Sequence, residues 1–159
     1  DTLSPSFHMN SSDTNRGGWA SSYMRQTICA QFKNALPSDL QAVLRTRTIY
    51  TDNVGNASNT TSDVTATTDT VYIPSEFEVS GKQVYSNYYE YYSQRQLEYY
   101  KNGASKMRYK SSNTSSEAWW WCRSPHYGTK YSFCDVDYQS DIDRRTANWS
   151  LGFAPLITI

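Results

Sequence analysis

The chain has 159 residues, 38% hydrophobic and 15% aromatic, and its fifteen bases balance its fifteen acids to a formal net charge of zero. That length suits one domain able to bury an ordinary core without metals or cross-links. The even scatter of charge excludes a dedicated nucleic-acid or anionic-membrane surface, and no apolar run approaches the roughly eighteen residues of a membrane-spanning helix, so membrane insertion is not expected.

In chain order, an apolar stretch around Phe7 to Met9 and a polar run from Asn10 to Gly18 precede a helix, with Tyr23, Met24, Ile28, Phe32 and Leu36 near helical spacing. Pro37 ends it. Ser38 reads as the N-cap of a second, short helix carrying Leu40, Val43 and Leu44, and the chain turns extended from Thr46 to Tyr50. Residues 51–70, rich in Asn, Thr, Ser and Asp, read as a long mobile surface excursion. Val71 to Ile73 restore a short strand that Pro74 breaks. Asn87 reads as the cap of a polar surface helix through Tyr88, Tyr91, Tyr92, Gln94, Leu97 and Tyr100, closed by Asn102-Gly103. Short strands follow at Met107 to Tyr109, Ala118 to Cys122, Tyr131 to Asp137 and Leu151 to Ile159. Helices first and strands afterwards predict a single α+β domain over residues 1–159.

Little enzyme chemistry is written here. Two histidines, His8 and His126, cannot make a three-His zinc site, and no nucleophile elbow, phosphate loop or dinucleotide fingerprint occurs. Asp135, Asp137, Asp141 and Asp143 alternate, but a calcium loop needs a glycine and a closing Glu that are missing, so solvated turns are the simpler reading. No metal or cofactor is expected. Cys29 reads as core; Cys122 and Cys134 read as free thiols on neighbouring strands, near enough to pair in an oxidising setting.

Fourteen tyrosines and five tryptophans outnumber five phenylalanines, so most aromatic surface carries a polar handle suited to half-wet positions. The indoles Trp119, Trp120 and Trp121 fall on one strand, where they must point to both faces. Arg123 beside Ser124-Pro125 suits a structural role, tying down turn carbonyls or meeting a carboxylate. Between His126 and Leu151 the mixture of Tyr, Ser, Asp, Arg, Thr, Asn and Trp is the composition of a recognition surface.

Seven ordered motifs carry a resemblance: Asn15-Arg-Gly-Gly-Trp-Ala-Ser-Ser-Tyr-Met-Arg25, Ala35-Leu-Pro-Ser-Asp-Leu40, Thr67-Thr-Asp-Thr-Val-Tyr72, Glu76-Phe-Glu-Val79, Tyr99-Tyr-Lys-Asn-Gly103, Trp119-Trp-Trp-Cys-Arg-Ser-Pro125 and Gly152-Phe-Ala-Pro155. Together they resemble a domain of bacterial and phage proteins in the formylglycine-generating-enzyme-like branch of the C-type lectin fold. The resemblance implies two helices packed on short antiparallel strands with long loops, and a place at the end of a longer protein. It implies ligand or receptor binding at a phage tail tip or a bacterial cell surface, with a host-surface protein or glycan as partner. A homotrimer or a larger tail or surface assembly is the implied setting.

In some relatives a diversity-generating retroelement rewrites the codons between Arg-Ser-Pro and Gly-x-x-Pro. Carried over by position, the scaffold is Trp119, Trp120, Arg123, Ser124, Pro125, Phe133, Val136, Gly152 and Pro155. The implied variable, ligand-binding face is Cys122, His126, Tyr127, Thr129, Tyr131, Asp135, Asp137, Tyr138, Asp143, Arg144, Thr146, Asn148 and Trp149. Lys130, Gln139 and Trp149 depart from what adenine rewriting of Asn codons yields, and Ala154 stands where relatives often carry Arg. Cys122 and Cys134 are too far apart in sequence for the oxidase chemistry of the wider fold. Two other readings stay open, an enzyme acting on glycan or cell-envelope material and a structural assembly domain.

Overall fold

In the computed structural model, which describes residues 2–159, the first half of the chain carries β1 (Leu3–Phe7), α1 (Gly18–Ser21), α2 (Cys29–Ala35), α3 (Ser38–Val43), β2 (Arg47–Asp52), β3 (Val64–Asp69), β4 (Val71–Tyr72) and α4 (Glu76–Ser80). The second half carries α5 (Glu98–Lys101), β5 (Arg108–Lys110), β6 (Asn113–Ala118), β7 (Trp120–Pro125), β8 (Ser132–Val136), β9 (Ile142–Thr146), β10 (Leu151–Phe153) and β11 (Leu156–Ile157). The class is α+β with strands predominating. The main sheet has the order β1-β10-β7-β8-β9, and three two-stranded ribbons pair β2 with β3, β4 with β11, and β5 with β6. Within the sheet β10 runs parallel to β7, so the strands are not all antiparallel as expected.

Period-2 alternation splits the apolar residues of β7 and β8 between two cores. Trp121 and Phe133 face a larger cluster with Met9, Trp19, Met24, Ile28, Cys29 and Phe153. Trp120, Cys122, Cys134 and Val136 face a smaller one with Val79, Tyr100, Leu97 and Tyr85. Both central indoles are fully buried, and truncating either to Ala removes a large side chain at a cost of about 3–5 kcal/mol. Cys29 is core as expected, and all three cysteines are buried and free.

Polar groups tie the layers together. Arg123, fully buried in β7, donates to both carboxylate oxygens of Glu78 at 2.6 and 3.0 Å, to Thr51 Oγ1 at 2.7 Å and to the Ile73 carbonyl at 3.0 Å. The structural role expected of this arginine is thus met in full, and the pair is oriented by the Ser75–Glu78 capping box of α4. Gly18 shows a close approach that no other residue permits: its φ is +52° and an added Cβ would stand 2.1 Å from the Asp52 carbonyl oxygen.

Several elements differ from expectation. The described residues hold five short α-helices, not two. The first predicted helix is present but broken into α1, a π-helical turn over Met24–Ile28, and α2, and Ser38 is the first residue of α3, whose N-cap is Pro37. Residues 51–70 are not one unbroken excursion: β3 pairs with β2 through six residues, Arg47↔Asp69 to Asp52↔Val64, and 53–63 form the loop between the two strands. Residues 87–102 hold no continuous helix, only a 3-10 turn at Glu90–Tyr92 and the four-residue α5. Expectation also missed β1, β6, β9 and α4, the last a five-residue helix.

Candidate functional site

The thirteen residues expected on one ligand face do not share one face. The register Cys134↔Arg144 and Asp135↔Asp143 puts Asp135 and Asp143 on the large-core side of β8 and β9, and Arg144 on the small-core side. Cys122 and Asp135 are fully buried and His126 is 8% exposed, so none of the three is a surface residue; the first two lie inward on β7 and β8, and His126, just past the end of β7, is covered by the segment at Ser86 that bridges to it. Tyr131, Tyr138 and Trp149 stand 52%, 45% and 50% exposed, and Arg144 and Asn148 are exposed as well. Tyr127, Thr129, Asp137, Asp143 and Thr146 are half-buried. Thr129 accepts from the amide of Ser132 at 3.3 Å in the β7–β8 turn, and Asp137 accepts from the amides of Gln139 and Asp141 at 2.8 and 2.9 Å, so both shape turns.

On the first face the exposed rings join a cation. Trp119 stacks on Tyr138 with centroids 5.9 Å apart and planes 11° off parallel. The Arg145 guanidinium lies 4.2 Å from the Trp119 ring centroid and 5.9 Å from that of Trp149. Asp143 holds that guanidinium in place, accepting from Nη1 at 2.6 Å. Asp143, Arg144, Arg145, Thr146 and Trp149 line a shallow concavity of about 270 Å³ along the edge strand β9.

On the other face, His126 meets Tyr85 edge-on at 5.4 Å and Arg144 covers the Tyr85 ring at 4.6 Å. Tyr127 packs on Tyr88 at 4.9 Å, their hydroxyls 3.0 Å apart. From there the rings of Tyr89, Tyr91 and Tyr92 continue outward, with Tyr91 and Tyr92 centroids 4.0 Å apart and Tyr92 70% exposed. The segment behind them is pinned by buried polar anchors. Asn87 reaches the Thr60 carbonyl at 3.2 Å, and Glu90 accepts from the Asp52 amide at 2.9 Å and from Ser124 Oγ at 2.6 Å. Upstream, Glu76 accepts from the amides of Val84, Tyr85 and Ser86 at 2.8–3.1 Å. The tyrosines are therefore presented on a held backbone, which lowers the entropic cost of using them in binding.

Burial governs the titrating groups. Asp135 lies beneath the first face with neither carboxylate oxygen hydrogen-bonded. Burial raises its pKa to about 8, against the opposing pull of Arg145 and with the help of Asp143 and Asp137. Burial likewise lifts Glu90 to about 7. His126 falls to about 4 through burial and the positive charge of Arg144, so it is neutral at physiological pH. Its Nδ1 meets Thr129 Oγ1 at 3.3 Å. Burial pushes the Cys122 and Cys134 thiols well up, the reverse of what a reactive thiolate needs. Among the described residues no group of three or more His, Cys, Asp or Glu comes together to hold a metal ion, and no helix is long and apolar enough to cross a membrane.

Sequence reasoning missed Trp119 and Arg145 as surface partners, and all of Tyr88, Tyr89, Tyr91 and Tyr92. The run Asn87-Tyr-Tyr-Glu-Tyr-Tyr92 held the signal, since a polar residue flanked by tyrosine pairs suits an inward anchor with outward rings as well as it suits a helix. In comparison with known proteins, the model of a family described as a domain of unknown function (DUF6273) matches residues 4–159. No curated protein and no solved structure matches the chain.

Proposed function

This chain belongs to the DUF6273 family, whose description assigns no activity, and from that premise we propose that it is a ligand- or receptor-binding domain rather than an enzyme. The observation that carries the reading is the concentration of half-exposed rings around β7, β8 and β9, with Trp119, Tyr138 and Trp149 gathered about Arg145 on one face and Tyr88 and Tyr127 on the other. Rigid amphipathic rings and arginine are the side chains that dominate binding hot spots. The buried, high-pKa cysteines and the neutral His126 without a carboxylate partner favour recognition over nucleophilic chemistry. The proposal extends to a C-type-lectin-like fold of the formylglycine-generating-enzyme-like branch, and to a place at a phage tail tip or bacterial surface, with a host-surface protein or glycan as ligand. Both rest on the ordered motifs of the sequence.

The test uses the labelled domain on a panel of intact bacterial cells. Wild-type protein should bind at least one strain saturably. The variant Tyr127→Ala/Tyr131→Ala/Tyr138→Ala/Trp149→Ala should lose that binding by at least about 100-fold, since each hot-spot ring contributes on the order of 1–2 kcal/mol. Each lost ring pair should cost only about 1 kcal/mol of stability. Undiminished binding by a folded variant sinks the reading.

A further inference from the structure

The first residues of β2, Glu78 of α4, the buried Arg123 of β7 and the segment after Tyr92 enclose a notch of about 190 Å³. Its lining includes Arg47, Arg95 and Arg123, and among the described residues Glu78 is the one acid there. Glu78 is already engaged: both of its oxygens accept from Arg123. That leaves the lining with three positive charges against one negative. Burial pushes the Glu78 carboxyl up, yet the adjoining Arg123, with Arg47 adding to it, brings its pKa below the usual value, so the carboxylate stays ionised and bound.

The two outer arginines are not accounted for by the fold. Arg47 donates to the Tyr72 hydroxyl at 2.9 Å and lies over that ring, contacts with a neutral phenol, and the carboxylate whose field it shares, Glu78, is already bonded to Arg123. Arg95 is exposed and makes no hydrogen bond or ion pair with any described residue. Arg123 donates through Nε, twice through Nη1 and once through Nη2, which leaves one Nη2 hydrogen without an acceptor among the described residues. Like charges converging on a concavity repel one another, and an anion that takes up their free donors relieves that repulsion.

We propose that this notch is a binding site for an oxyanionic group, a phosphate, sulfate or carboxylate, gripped by Arg47 and Arg95 above the Arg123–Glu78 pair. Guanidinium forks match such groups two oxygens at a time. The size matches a group rather than a whole ligand, because 190 Å³ falls below the roughly 300–1,000 Å³ of cavities that enclose drug-sized molecules. Gln94, 7% exposed, closes one wall, with its amide bonded to the Tyr50 carbonyl at 2.8 Å, so that wall is set by the fold. The site stands apart from the rings of the C-terminal strands and does not depend on the recognition role assigned to them.

The experiment titrates inorganic phosphate, sulfate, acetate and methyl phosphate into the folded protein at constant ionic strength, following the backbone amides of Ser93, Gln94 and Arg95 by NMR. Thermal stability is followed in parallel. Phosphate and sulfate also stabilise proteins by exclusion from the surface; that effect does not saturate, so the saturable part reports the site. Wild-type protein should show saturable shifts at those amides. Arg95→Ala, which breaks no bond of the fold, should weaken binding about tenfold or more, and Arg47→Ala/Arg95→Ala should abolish it. Tighter binding of methyl phosphate than of inorganic phosphate marks the anion as part of an organic ligand; equal binding marks a free anion. Absence of saturable shifts, or identical shifts in wild type and the double variant, overturns the site.

Discussion

Asp135 sits in the middle of a sheet with both carboxylate oxygens unpartnered. Such a group is stable only when neutral, and its pKa near 8 reports that. Because the folded value lies above the ordinary one, the folded state holds a proton that the unfolded chain releases. The contribution is fully present below the ordinary carboxylate range and is lost as pH rises toward 8. Glu90 follows the same sign up to about 7. His126 has the opposite sign, losing stability as pH falls from about 6.5 to about 4. Between pH 7 and 8 Asp135 therefore dominates, and the free energy of unfolding should fall by up to about 1.4 kcal/mol per pH unit. Asp135→Asn should flatten that slope in urea titrations; an unchanged slope would show that another group carries it. The sequence displayed Asp135 as one of four alternating acids, with nothing in the spacing to separate the buried one from Asp137, which caps a turn.

At the scale of elements, α4 shows how a five-residue helix organises more chain than it contains. Its first residue, Glu76, is fully buried and gathers three consecutive amides of the segment that leads to the tyrosines. Glu76→Gln would turn an amide against those donors, and the loss of charge-assisted bonds should cost about 3 kcal/mol, read by chemical denaturation. Loosening should spread to residues 84–92, read as faster amide exchange there. If exchange stays at the wild-type rate, that segment is held by other bonds. This anchoring also explains what could be read beforehand. The strands at Trp120 and Ser132 and the helix around Ile28 were legible because apolar periodicity marks buried faces. The span 87–102 misled because tyrosines at 88, 91 and 92 mimic helical spacing, whereas the polar residues Asn87, Glu90 and Gln94 among and beside them turn inward to bond other segments. The β2–β3 ribbon was hidden because Thr65, Thr67 and Thr68 of β3 bury little and show no alternation of apolar with polar. Strand β9 was hidden for a related reason: Asp143, Arg144 and Arg145 are charges of the kind that protect a sheet edge from pairing with another chain.

Over the whole molecule, the expected single recognition face becomes two, separated by the thickness of the sheet. Trp149 with Arg145 belongs to one and Tyr88 with Tyr127 to the other. Sites without shared partners behave independently, so the stability losses of Trp149→Ala and Tyr88→Ala should add within about 0.5 kcal/mol. Tyr88→Ala and Tyr127→Ala should instead couple by about 0.5–1.5 kcal/mol, the worth of an aromatic pair. Coupling between the two faces in a double-mutant cycle would contradict the division. The reach of the candidate site across both faces was not legible, because it depends on the 85–88 segment meeting His126 and Tyr127 across the chain.

The pairing of β1 with β10 has a mechanical consequence. Leu3 lies opposite Phe153 and Phe7 opposite Leu151, so the antiparallel strands leave the sheet side by side at the Leu3 end. Tension drawn between those two exits loads the inter-strand bonds one at a time, as a zip opens, and β1 peels away before the sheet behind it is strained. Tension drawn between Leu3 and the outer edge at β9 passes through the same seam, in series with three further strand-to-strand boundaries, so along either line of pull the β1–β10 pairing is the first to carry the load.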